Sequence, residues 1–193
     1  MWGAFVLKQI ITYSLILLFI LFHPLIDISS QQNPSGADSP PATGKEIRKF
    51  NFLNRTYFAD CAVRKVRVRN GSYQPGPNSS FFFTFDVSVS FGDLTGDGVE
   101  EALVVTQCAG AAQNFSAAKV YAVQDHRLVK LAQLRHGAKN DGDILEGKIS
   151  KGGVIVKREP EKIPSERCSE IKTIAYKMQE NRLIQVRTVC APD

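Results

Sequence analysis

Asp93, Thr95, Asp97, Val99 and Glu101 stand at alternate positions of one short segment, Phe91 to Val105, which reads FGDLTGDGVEEALVV. That spacing is chemistry for a hard divalent cation. Calcium takes about six to eight oxygens, and short loops supply them from alternate side chains and one backbone carbonyl. Asp93, Thr95 and Asp97 hold the first, third and fifth places, Gly98 makes the sharp turn, Val99 offers its carbonyl, and Glu101 falls at the ninth place. An EF-hand needs a bidentate Glu at the twelfth place, where this chain has Val104, and the flanking segments alternate like strands. The competing reading is an Asp-Gly turn with solvated acids. Asp93, Asp97, Glu100 and Glu101 repel one another within nine residues, and a cation relieves that repulsion, so calcium in a structural role is expected.

The nine-residue loop resembles the calcium loops of FG-GAP and VCBS repeats. Thr95 stands where those loops usually carry Asp or Asn, and Glu101 replaces their usual Asp. Both still present oxygen, so the resemblance implies a weaker calcium site.

Two other constellations bear on ligands. Lys65, Arg67 and Arg69 share one face of a strand with Val66 and Val68 opposite, and Arg64 adjoins them. With a net charge of +5 this is a patch for an anionic ligand, or a solvated strand face whose cations discourage edge pairing. No aromatic interleaving is visible there, so nucleic acid is not expected. The small-residue loop CAGAAQNF, Cys108 to Phe115, offers Gly110, Gln113 and Asn114 as a ligand-facing loop. Tyr57 and Phe58 read as packing residues, and Asn140 to Asp143 as a plain turn.

Catalytic motifs are missing: there is no GxSxG elbow, HExxH or phosphate loop, and His126 and His136 have no adjacent nucleophile signature. No catalytic residue is assigned.

The elements that must position these groups are strands. Phe83, Phe85, Val87, Val89 and Phe91 alternate with polar residues and lead straight into the acidic loop, while Ala102 to Val105 is apolar on both faces, as a central strand is. Asn70-Gly71 is a strong hairpin turn, and further hairpins are expected around Gln124 to Arg127, Ser150 to Gly153 and Gln179 to Arg182. YAVQDHRLVKL (Tyr121 to Leu131) and YKMQENRLIQV (Tyr176 to Val186) repeat one hairpin pattern. A single acidic loop and one domain's length exclude a full propeller. The expected fold is mainly β: a single antiparallel domain, as a twisted sheet, small sandwich or barrel, with one short N-terminal helix within Lys45 to Thr56.

The N-terminus indicates export. Lys8 precedes an apolar run of thirteen residues, Ile10 to Phe22, which suits a signal peptide better than a spanning helix of about 20. Counted from Phe5 to Ile28 it is an uncleaved anchor instead. Residues 1–30 are therefore a signal peptide or membrane anchor, 31–44 a Pro- and Ser-rich linker, and 45–193 the β domain. The expected location is periplasmic, secreted, or on the outer face of the cytoplasmic membrane. Cys61, Cys108, Cys168 and Cys190 all lie in the exported part, and an even count there favours two disulfides. Cys168 and Cys190 bracket a hairpin in phase with an apolar face of Ile174, Tyr176, Met178, Ile184 and Val186, which leaves Cys61 with Cys108.

Gly92 to Val105, Cys108, Gly110 and Val120-Tyr121 together resemble small exported bacterial proteins of the LppP/LprE type. The resemblance implies compartment and fold but no reaction, and without a Cys after the leader the lipid anchor of that family is not carried over. The function expected is a non-enzymatic binding or interaction module at the cell envelope with an unidentified ligand; the alternative is a secreted hydrolase acting on envelope polymers.

Overall fold

The computed structural model describes residues 44–77, 79–80, 82–110, 114–136, 142–159 and 171–190. The leader, nearly all of the linker, Gln113 and Cys168 lie outside them. Among the described residues no helix is long and apolar enough to cross a membrane.

Eleven strands follow one another: β1 (Thr56–Ala59), β2 (Arg64–Arg67), β3 (Ser72–Tyr73), β4 (Phe83–Gly92), β5 (Glu101–Gly110), β6 (Asn114–Gln124), β7 (Arg127–His136), β8 (Ile144–Ser150), β9 (Gly153–Arg158), β10 (Lys172–Gln179) and β11 (Arg182–Cys190). They form a five-stranded sheet in the order β3-β4-β5-β6-β7, a four-stranded sheet β11-β10-β9-β8, and a ribbon β1-β2. Every named pairing is antiparallel. The fold is mainly β, as the alternating pattern predicts. The expected short N-terminal helix is present as two 3₁₀ turns, Glu46–Lys49 and Phe52–Asn54.

The turns explain why the strands meet as they do. Asn70-Gly71, Asp125-His126, Lys151-Gly152 and Glu180-Asn181 all have positive φ at both residues. That is the two-residue hairpin turn whose twist matches its flanking strands. Asp125-His126 and Glu180-Asn181 adopt it without glycine, in the two repeated hairpins. The likeness goes further: register shifts by one residue just before Tyr121 in one hairpin and just before Tyr176 in the other. Each shift leaves an extra residue, Leu131 or Val186, on the outer strand. Both β7 and β11 end their sheets, and a bulge there twists the edge away from further pairing.

The five-stranded sheet carries the core on both faces. Ala102, Val104 and Cys108 of β5 pack with Phe83, Phe85 and Val87 of β4, Val66 and Val68, and Ile47 and Phe52 of the 3₁₀ turns. Leu103 and Val105 point the other way, into Ile144, Val154, Val156, Ile174 and Tyr176 of the second sheet. The unbroken apolar run Ala102 to Val105 in β5 is the consequence of burial on two faces. The strand β8 lies against this second face. Its Gly147 leaves room for that approach, since a Cβ there would meet Val105 Cγ2 at 2.7 Å. As an edge strand β8 has unpaired backbone groups, and side chains of the first sheet take them: Ile149 N donates to Ser90 Oγ (3.0 Å), Ile144 N to Ser116 Oγ (2.7 Å), and Gln107 Nε2 to the Ile144 carbonyl (2.8 Å).

Two expectations are corrected. Ile184 and Val186 do not share the apolar face of Ile174, Tyr176 and Met178: Val186 is the bulged residue, Ile184 pairs with Lys177, and both are exposed. The segment Cys108 to Phe115 is mostly strand, because Cys108 to Gly110 end β5 and Asn114-Phe115 begin β6.

Candidate functional site

The segment between β4 and β5 is closed by its own carboxylates. Asp93 Oδ1 accepts from Gly96 N at 2.6 Å and its Oδ2 from Gly98 N at 3.0 Å; Asp97 Oδ1 accepts from Val99 N at 2.8 Å. Gly96 and Gly98 both take positive φ, which an L side chain adopts only under strain. Glu101 begins β5 and is 2 % exposed. Its Oε2 accepts from Leu94 N (2.7 Å) and Thr95 N (3.3 Å), while Thr95 Oγ1 lies 3.4 Å from its Oε1.

Glu101 differs electrostatically from its neighbours. Burial raises its pKa above the ordinary carboxylate value; the bond from Leu94 N opposes this, and the charges of Asp97 and Asp93 add to the rise. Among the described residues, none of the ion pairs involves Asp93, Asp97 or Glu101. Glu100 points elsewhere and takes Arg48 in a two-pronged pair, 2.5 Å from Nε and 3.0 Å from Nη2. Arg48 holds the Glu100 carboxyl below its usual range. Glu100 N also donates to the Gly44 carbonyl at 2.8 Å, so the last residue of the linker is tied to this loop.

Asp93, Thr95, Asp97, Val99 and Glu101 are thus gathered in one turn. Among the described residues no group of three His, Cys, Asp or Glu side chains is assembled as a metal cluster. The donor set, three carboxylates with a hydroxyl and a carbonyl, is chemically that of a calcium loop. Its carboxylates are spent on backbone amides. The long Glu101 side chain reaches back to Leu94 and Thr95 and closes the loop from its far end.

The Cys61–Cys108 disulfide joins the 3₁₀ turn Asp60–Ala62, beside the ribbon, to β5. Gly110 lies against it, its Cβ position 3.6 Å from Cys61 Sγ. Cys190 is also disulfide-bonded. Asn114 lines a hollow of about 180 Å³ with Asp86, Ser116, Asp143 and Glu159.

On the ribbon, Lys65, Arg67 and Arg69 are exposed while Val66 and Val68 are buried. By alternation Arg64 falls on the Val66 side, apart from those three. The pairing of β1 with β2 sets Phe58, which is 50 % exposed, beside Lys65. Tyr73, stacked on Phe83 with ring centroids 5.3 Å apart, comes beside Arg67 and Arg69 in a groove. Sequence spacing shows no aromatic among these cations; cross-strand neighbours supply them. Tyr57 is packed as expected: its hydroxyl donates to the Phe52 carbonyl at 2.7 Å, and burial pushes its pKa up to about 12. His126 pairs with Glu46 at 3.0 Å.

No protein-family model, curated protein or solved structure matches this chain.

Proposed function

We propose that this chain is an exported, non-enzymatic binding module of the cell envelope, its 93–101 loop stabilised by calcium. The observation that carries the metal reading is Glu101, a buried carboxylate held beside Asp93 and Asp97 with no cationic side chain ion-paired to any of the three among the described residues. A divalent cation neutralises such a group, and Asp93, Thr95, Asp97, Val99 and Glu101 would hold it. Disulfide-bonded Cys61, Cys108 and Cys190 support an oxidising compartment, and the leader-like N-terminus supports export, with a membrane attachment where that segment is retained. Kinship with the LppP/LprE type belongs to the same proposal. The module's partner is an envelope ligand and not nucleic acid.

Scanning calorimetry of the domain in calcium and in EDTA tests the loop. Calcium at a hundredfold over its Kd adds about 2.7 kcal/mol, a rise of several degrees in the midpoint. Asp93→Ala with Asp97→Ala removes the rise. Coincident transitions for the unaltered protein sink the calcium reading.

The hydrolase reading has one foothold, the hollow in which Asp86, Asp143 and Glu159 meet without a described histidine. Release of soluble fragments from envelope polymers, abolished by Asp143→Asn, would favour it.

A further inference from the structure

The ribbon and β3 build a second feature, unconnected with the acidic loop. Lys65, Arg67 and Arg69 lie at alternate positions along an extended chain, so their side chains leave one face at intervals of roughly 6–7 Å. None of the three enters an ion pair among the described residues. Beneath them Val66 and Val68 are buried in the core, and the Cys61–Cys108 bridge anchors the neighbouring turn to β5. The cations therefore stand on a fixed backbone rather than a loose loop.

Asn70-Gly71 then folds the chain back. Arg69 N donates to the Ser72 carbonyl at 2.9 Å, which places Ser72, Tyr73 and Gln74 beside the cations. Arg67, Arg69, Ser72, Tyr73 and Gln74 line an open groove of about 360 Å³. That lies within the range of small-ligand clefts, roughly 300–1,000 Å³. Its chemistry is mixed: two guanidinium groups, which match carboxylate or phosphate oxygens in a bidentate way, and a hydroxyl, a phenol and an amide, which both give and accept hydrogen bonds. Asp86 pairs with Ser72 in register but lines the other hollow, which shares no residue with this groove.

We infer that this groove and the cationic strand beside it bind an acidic polysaccharide, the arginines taking its carboxylates and Ser72, Tyr73 and Gln74 its hydroxyls. The inference rests on the binding-module reading and names its ligand class. Acidic sugar fits better than single-stranded nucleic acid. Base stacking needs a run of open ring faces. Here Tyr73 has one face against Phe83, which leaves Phe58 as the open ring next to the cations.

The test is titration of the protein with a hyaluronan hexasaccharide in EDTA, with cellohexaose as the neutral comparator and an oligothymidylate as the competing polyanion. Working in EDTA keeps the outcome independent of calcium. Hyaluronan is expected to bind, more weakly as salt is raised, and cellohexaose not to bind. Arg67→Ala with Arg69→Ala weakens hyaluronan at least tenfold, and Tyr73→Phe, which keeps the ring packed on Phe83, about three- to tenfold. Lys148→Ala with Lys177→Ala, which removes exposed cations elsewhere, leaves affinity unchanged. Circular dichroism checks that the variants are folded. Absence of hyaluronan binding, equal affinity for oligothymidylate, or affinity unaltered by the arginine substitutions overturns the inference. Recovery of shortened hyaluronan would overturn the non-enzymatic reading while leaving the groove in place.

Discussion

The carboxylate of Glu101 accepts the backbone N–H of Leu94 at 2.7 Å, closing the acidic turn from its far end. Leu94 is itself buried, so this donor has little access to water. Glu101→Ala leaves it without an acceptor and, in EDTA, costs about 1–3 kcal/mol in urea denaturation. Glu101→Gln retains an acceptor oxygen and costs less. Equal losses for the two would mean that the bond does not hold the turn.

The Cys61–Cys108 bridge closes a loop with a sequence separation of 47. Replacing both cysteines by serine is expected to lower stability by about 2–4 kcal/mol, through a freer unfolded chain. Denaturation of the double variant against the oxidised protein measures this. A loss below about 1 kcal/mol would show that ribbon and sheet stay joined by packing alone.

Gly147 of β8 lies close against the first sheet. Its Cβ would lie 2.7 Å from Val105 Cγ2 and 3.1 Å from Leu103 Cδ2, both in the core. Gly147→Ala is expected to cost about 1–3 kcal/mol by overpacking. Gly152→Ala, where nothing lies near, meets no packing clash and bears only the strain of its positive φ.

Glu46 and His126 tie the 3₁₀ turn Glu46–Lys49 to the hairpin between β6 and β7. The hydrogen bond from His126 holds the Glu46 carboxyl below the ordinary carboxylate range. A lowered carboxylate pKa contributes stability above the unfolded value and loses it as pH falls through the folded one. The protein is therefore expected to melt above Glu46→Gln at neutral pH, with the gap narrowing as acid protonates Glu46. A gap that widens with acid contradicts the pairing.

Much of this architecture is written in local pattern. Asn70-Gly71 and the three other hairpin turns are readable from turn residues between alternating runs, and β5 from its unbroken apolar stretch. The Cys61–Cys108 pair is readable as the one left when Cys168 and Cys190 are assigned to either side of the last hairpin. What escapes the sequence is what depends on partners across strands. The bulge opposite Ala175 and Tyr176 reverses the side on which Ile184 falls, because one extra residue inverts a period of two. Phe58 meets Lys65 only through the β1–β2 register, and Tyr73 meets Arg69 only through the turn. The acidic spacing of the loop is likewise legible, but the inward reach of Glu101 to Leu94 and Thr95 is a consequence of side-chain length and burial.

A crystal structure grown in calcium tests the metal reading most directly. The expected result is an ion in the 93–101 loop, with oxygens of Asp93, Thr95, Asp97, Val99 and Glu101 at about 2.3–2.6 Å and the Glu101 carboxylate drawn from Leu94 N toward it. A loop in which Glu101 still accepts from Leu94 and only water lies among the carboxylates, at millimolar calcium, contradicts it.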